Sequence, residues 1–227
     1  VIGAPQLQGR PFPDDDTNGK GYAFLRKVSE PTTRVVAELQ ETLIDGAKAN
    51  TITGTVGGVV TSVLRVLSFF DIDDVTLETG AAADEITLKE PGLTAYGLRN
   101  FMVKTQGGAD ILTIEAPALK PPAVGTFVDD QAATAGFTLV TGAFTFDGGA
   151  DANSLVVAGD FDWRLEADAL IAQNADRLTL VNVGDASITG GESGNIIDVA
   201  GWVGTVRLDG AEGSDQISVE VGSALMA

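Results

Sequence analysis

A parallel β-solenoid is the fold class this sequence predicts, and three observations predict it. The phrase [Asp/Asn]-x-apolar-x-apolar recurs six times between Asp84 and Val219. Its copies are spaced like the coils of a stacked fold. Glycine is abundant, at 28 of 227 residues, while aromatic residues make up only 6%. That balance suits tight turns and thin layers better than a bulky core.

The six copies run as follows. Asp84 is followed by Ile86 and Leu88, and Asp110 by Leu112 and Ile114. Asn153 is followed by Leu155 and Val157, and Asp176 by Leu178 and Leu180. Asn195 is followed by Ile197 and Val199, and Asp215 by Ile217 and Val219. Each reads as a short strand with period-two alternation, entered from a polar turn. Taken as six steps, with one degenerate turn near Asp129–Asp130 filling the long gap after Asp110, the repeat averages about 22 residues per coil. Asp84, Asp110 and Asp176 are expected as structural turn markers, because Asp and Asn side chains bond turn backbone.

Between the markers lie further strand candidates: Leu98–Val103, Phe137–Phe146, Trp163–Leu165, Ala186–Thr189 and Val203–Leu208. They would supply the other face of each coil. A strand of five residues cannot bury its apolar face alone, but stacking equivalent strands about 4.8 Å apart makes continuous apolar ladders. Pro117, Pro121 and Pro122 mark a loop or insertion, since proline lacks the N–H a central ladder needs.

Three zones are expected along the chain. Residues 1–30 are loop-rich, with three prolines and the acidic run Asp14–Asp16. Residues 31–70 form a capping or transition segment. Within it, Arg34–Ile44 carries Val36, Leu39, Leu43 and Ile44 at helical spacing, while the flanking β-branched stretches favour hairpins. Residues 71–227 form the solenoid.

Composition narrows function. There is no histidine and no cysteine. That excludes Ser-His-Asp and Cys-His catalysis, histidine or thiolate zinc sites, and disulfides within this chain. The balance of 14 basic against 32 acidic residues gives a formal net charge of −18. Such a surface repels phosphate backbones and anionic lipid, so nucleic acid is not an expected partner. Nor is membrane insertion expected, because the longest apolar stretch, 56–70, is too short to span a bilayer. Arg99, Lys104, Arg164, Arg177 and Arg207 read as scattered, at most one per coil, so no catalytic residues are expected. Trp163 and Trp202 read as coil-corner residues rather than sugar-stacking platforms. The chain begins at Val1 without a methionine and reads as a processed or partial chain of something larger.

Residues 144–219 resemble the hemolysin-type calcium-binding (RTX-like) repeats of large secreted bacterial proteins. The family nonapeptide is G-G-x-G-x-D-x-U-x, where U is a large apolar residue. Gly210-Ala211-Glu212-Gly213-Ser214-Asp215-Gln216-Ile217-Ser218 departs from it only at the second glycine. The copies at Gly148–Leu155 and Gly190–Ile197 are weaker, with Asn153 and Asn195 replacing the aspartate. The resemblance implies calcium as the one cofactor, with Asp215, Gly213, Asp151, Asn153 and Asn195 as ligating positions. In the family the nonapeptides follow one another directly, whereas here they stand about twenty residues apart, which puts a full tandem calcium roll in doubt.

Residues 1–26 resemble, more faintly, an FG-GAP repeat of integrin-type propellers, through Gly19, Gly21, Tyr22 and Phe24. Together these features imply a structural or adhesive, self-assembling module at the bacterial cell surface. Its expected partners are copies of itself, other surface proteins or polysaccharide. The alternatives are a calcium-stabilised RTX-like module and a polysaccharide-active β-helix.

Overall fold

A computed structural model describes residues 22–25, 33–44, 46–57, 63–69, 73–90, 92–94, 98–116, 139–140, 142–172 and 176–220. The calls on residues 1–21, including Gly19, Gly21 and Asp14–Asp16, lie outside these, as do Pro117, Pro121, Pro122 and Asp129–Asp130.

Among the described residues every regular element is a strand, and the strands form two mixed, mainly parallel sheets. The first strands are β1 (Tyr22–Leu25), β2 (Val35–Ile44), β3 (Ala47–Val56) and β4 (Val63–Phe69). Five-residue strands follow: β5 (Asp74–Glu78), β6 (Glu85–Lys89), β7 (Asn100–Lys104), β8 (Ile111–Glu115), β9 (Ala143–Asp147) and β10 (Ser154–Ala158). A shorter pair, β11 (Trp163–Leu165) and β12 (Ala169–Ala172), precedes β13 (Arg177–Val181), β14 (Asp185–Thr189), β15 (Ile196–Ala200), β16 (Thr205–Asp209) and β17 (Gln216–Glu220).

The chain alternates between the sheets from β5 to β10 and again from β13 onward. One sheet has the order β1-β5-β7-β9-β13-β12-β11-β15-β17, and the other β16-β14-β10-β8-β6-β2-β3-β4. Pairing is in register. Ile86, Leu112, Leu155, Ala186 and Val206 form one rung, and Leu88, Ile114, Val157, Ile188 and Leu208 the next. On the other sheet Val75, Phe101, Phe144 and Leu178 line up, as do Leu77, Val103, Phe146 and Leu180. Alternation makes these side chains face inward, and both sheets contribute to one core. Phe101 and Phe144 pack edge to face, with ring centroids 5.5 Å apart.

All six sequence phrases enter strands as expected, but their spacing along the sheets differs from the expected one. β8 pairs directly with β10, and β7 with β9, so no strand stands between these pairs across the long gap after Asp110. The shift between paired residues is therefore uneven: 43 residues from Leu112 to Leu155, but 20 from Ala186 to Val206. A single repeat near 22 does not describe the molecule.

Asp176 also belongs elsewhere. Asp84, Asp110 and Asn153 precede strands of the β6 sheet, whereas Asp176, Asn195 and Asp215 precede strands of the β5 sheet. The cause is the β11–β12 pair, which inserts two strands between β13 and β15, with β12 antiparallel to both its neighbours and β11 parallel to β15.

Residues 34–44 are not helical. β2 and β3 pair antiparallel along ten residues each, and Gly54 sits where β3 shifts register against β4. Val35, Ala37, Leu39 and Ile52 are buried, so period-two burial wins over the helical stripe. The hairpin covers one end of the ladders, joining β6 through β2.

Candidate functional site: the stacked aspartate and asparagine turns

Five turns share one six-residue frame. They are 79–84 (TGAAAD), 105–110 (TQGGAD), 148–153 (GGADAN), 190–195 (GGESGN) and 210–215 (GAEGSD). Each ends in Asp or Asn immediately before, or one residue before, a strand that joins a stack.

The terminal side chain links the entries of neighbouring strands. Asp84 Oδ1 accepts the Val35 amide at 2.7 Å, and Asp110 Oδ1 accepts the Asp84 amide at 2.7 Å. Asn153 Oδ1 accepts the Asp110 amide at 3.1 Å. All three residues are fully buried. The Thr79 hydroxyl donates to the other Asp84 oxygen. Asn153 adds what an aspartate cannot, since its Nδ2 donates to the Asn182 carbonyl at 2.9 Å.

A second ladder occupies the turns that enter the β5 sheet. Asp215 Oδ1 accepts the Asn195 amide at 2.9 Å, and Asn195 Oδ1 accepts the Gly191 amide at 2.8 Å. Asn195 Nδ2 donates to Asp160 Oδ1 at 3.0 Å, an oxygen that also accepts the Ser193 amide. The glycines let the turns close up. Gly108 (φ +101°) and Gly213 (φ +111°) are left-handed, and a Cβ on either would overlap the Ala82 or Ser193 carbonyl of the adjacent turn.

Burial sets the electrostatics. Burial pushes the Asp84 carboxyl up, against the pull of the Thr79 hydroxyl, the Val35 amide and the Arg34 charge. Asp110 is pushed up to about 6, again mainly by burial, with the nearby Asp84 and Asp151 charges adding to it. Thr105 and the Asp84 amide pull it back down.

The structure divides the proposed ligands of calcium between these two ladders. Asn195, Gly213 and Asp215 come together. Asp151 and Asn153 share the other ladder, where exposed Asp151 accepts the Gly108 amide at 3.1 Å. Among the described residues no group of three or more Asp, Glu, His or Cys side chains is arranged to hold a metal ion. Calcium wants six to eight oxygens, and one side-chain oxygen each of Asp84, Asp110, Asn153 and Asp215 already accepts an amide of a neighbouring segment. The donor set does not fit the ion.

Sequence reasoning missed Asp160, which is 2% exposed and whose Oδ2 has no hydrogen-bond partner among the described residues. With Glu115 and Glu192 it lines part of an open depression of about 310 Å³. It escaped notice because its apolar followers, Phe161 and Trp163, stand one and three residues on, out of phase with the six phrases. Asp176 accepts the Leu139 amide at 2.9 Å, beside the ladders rather than in them.

Two arginines thought separate meet through the β11–β12 insertion. Arg177 pairs with Glu166 and Asp168 at 2.9 Å each, and Arg164 pairs with the same Glu166 at 3.3 Å. Trp163 is 1% exposed, and half-buried Trp202 donates to the Thr205 carbonyl at 3.3 Å, so neither indole is an open stacking platform. No helix among the described residues is long and apolar enough to cross a membrane.

No family model, curated protein or solved structure matches the chain.

Proposed function

We propose that the chain is a non-catalytic, metal-independent β-solenoid module of a secreted bacterial surface protein, a stiff element that displays, spaces or assembles. One observation carries this reading. The Asp and Asn side chains of the repeated turns bind the backbone of the next turn, so the repeated motif serves stacking.

The coil reading has independent support in chain length. Residues 182–184 alone link β13 to β14. Such a link reaches about 14 Å, short of the roughly 17 Å needed to cross a 10 Å sheet gap and return along a five-residue strand. The chain therefore doubles back between sheets, as a solenoid does. Nine strands at about 4.8 Å make a stack close to 40 Å long. The acidity and the lack of cysteine support an extracellular setting for a fold that needs no disulfide.

Antibodies raised against the chain test the location and role. Labelling of intact source cells is the expected result. Labelling only after permeabilisation, or turnover of a polysaccharide by the purified chain, overturns the reading.

A further inference from the structure

Two turns of the shared frame begin in threonine and end in aspartate: Thr79 with Asp84, and Thr105 with Asp110. All four residues are fully buried. The two threonines use their backbone N–H groups alike. The Thr79 amide donates to the Lys104 carbonyl at 2.9 Å, and the Thr105 amide to the Asp147 carbonyl at 3.0 Å, each at the end of the neighbouring strand. Only the hydroxyls differ. Thr79 donates within its own turn, to Asp84 Oδ2. Thr105 donates across the stack, to the Asp147 carbonyl at 3.4 Å. Asp110 Oδ2 is left buried, with no hydrogen-bond partner among the described residues.

A buried carboxylate oxygen without a donor is costly. A protonated carboxyl is itself a donor at that oxygen. Asn153 is a donor at the same frame position one turn on, where its Nδ2 meets the Asn182 carbonyl at 2.9 Å. The two threonine turns therefore show, in one frame, the arrangements that suit an ionised and a protonated aspartate.

We infer that the Thr105 hydroxyl is a proton-linked switch. With Asp110 protonated it donates to the Asp147 carbonyl, and on ionisation it turns to Asp110 Oδ2, as Thr79 serves Asp84.

Three observations support the exchange. The hydroxyl lies near enough to Asp110 to favour its carboxylate form. The bond it gives up is long for an O–H donor. Its departure does not strand the Asp147 carbonyl, which keeps the Thr105 amide.

The charges around Asp110 leave the hydroxyl as the remaining donor for Oδ2. Asp84 from the preceding turn and Asp151 from the following turn are both carboxylates, and both oppose ionisation. Arg34 acts on Asp84. The Asp147 carboxylate is engaged by the Gly149 amide and the Asn182 side chain. Among the described residues no cation pairs with Asp110. The switch thereby couples a proton in the core to the link between β7 and β9. At low pH the hydroxyl joins the ends of the two strands, and at higher pH that link is left to the backbone.

Thr105→Val tests this by chemical unfolding. The denaturant midpoint should fall little at pH 4, where only the long bond to Asp147 is lost. At pH 8 the fall should be roughly two- to threefold larger, because a hydrogen bond to a charged group is lost. In an Asp110→Asn background the two falls should be equal, since nothing ionises. Thr105→Ser keeps the hydroxyl and should restore the wild-type pH profile. The side-chain carboxyl carbon of Asp110, followed by NMR, should titrate at higher pH in Thr105→Val than in the wild type, because the folded carboxylate has lost its donor. Equal falls at pH 4 and pH 8 overturn the switch, and so does a pH-dependent fall that survives in Asp110→Asn. Should Thr105→Val fail to fold, the wild-type resonance still decides. Titration of Asp110 at its ordinary 3.8 leaves no proton to drive the exchange and overturns it as well.

Discussion

The amide of Asp84 donates to Asp110 Oδ1 at 2.7 Å, which sets two fully buried carboxyl groups in consecutive turns of one stack. The Asp84 charge raises the cost of ionising Asp110, on top of the burial that pushes Asp110 up first.

Stability should therefore fall as pH rises. The Asp110 carboxyl holds its proton to about 6 when folded, against 3.8 in the unfolded chain. The folded state binds that proton more tightly. Its contribution is full below pH 4 and lost as pH climbs through 6. Asp110→Asn keeps the oxygen that the Asp84 amide needs and removes the charge, as Asn153 does naturally one turn on. Denaturant midpoints should show a gain of about 1–3 kcal/mol at pH 8 and none at pH 4. An equal gain at both would show that ionisation is not the cause.

The reverse change should harm the second ladder. Asn195→Asp replaces the donor that meets Asp160 Oδ1 at 3.0 Å with a second carboxylate. A loss of about 2–4 kcal/mol is expected at neutral pH. Acidification should recover part of it, read as a narrowing gap between variant and wild-type melting curves below pH 5.

Calcium should leave the wild type unmoved. Thermal midpoints in millimolar calcium and in excess chelator should coincide, because among the described residues no cluster of three or more acidic side chains is arranged to hold the ion. A strong rise with calcium would put metal back at Asp215 and Asp151.

Turn glycines should tolerate no methyl group. Gly108→Ala forces a residue with a Cβ into φ +101° and against the Ala82 carbonyl. A loss of about 1–3 kcal/mol is expected in chemical unfolding. Ala at Gly184, where nothing lies within 4 Å of an added Cβ, should cost far less.

The strands were legible because five-residue alternation is a local signal, as Glu85–Lys89 and Ile111–Glu115 illustrate with their alternating burial. The turn ladders were legible for the same reason, each ending in Asp or Asn at a fixed offset from an inward apolar residue. What stayed hidden was non-local. Ala169–Ala172 is apolar enough to pass for one more coil strand, and only its antiparallel pairing shows that it reverses the order of the sheet. Val36 is apolar yet lies outside the buried set of Val35, Ala37 and Leu39, which blurred the alternation of β2 into a helical stripe.

The direct pairing of Leu112 with Leu155, and of Phe101 with Phe144, makes the molecule a natural chassis for grafting. The ladders pair straight across the interval between Ala116 and Leu139, so the register that holds the stack together is set by the strands on either side of it. Evolution, or a designer, can exchange that stretch for a different epitope while the paired strands on either side keep their partners.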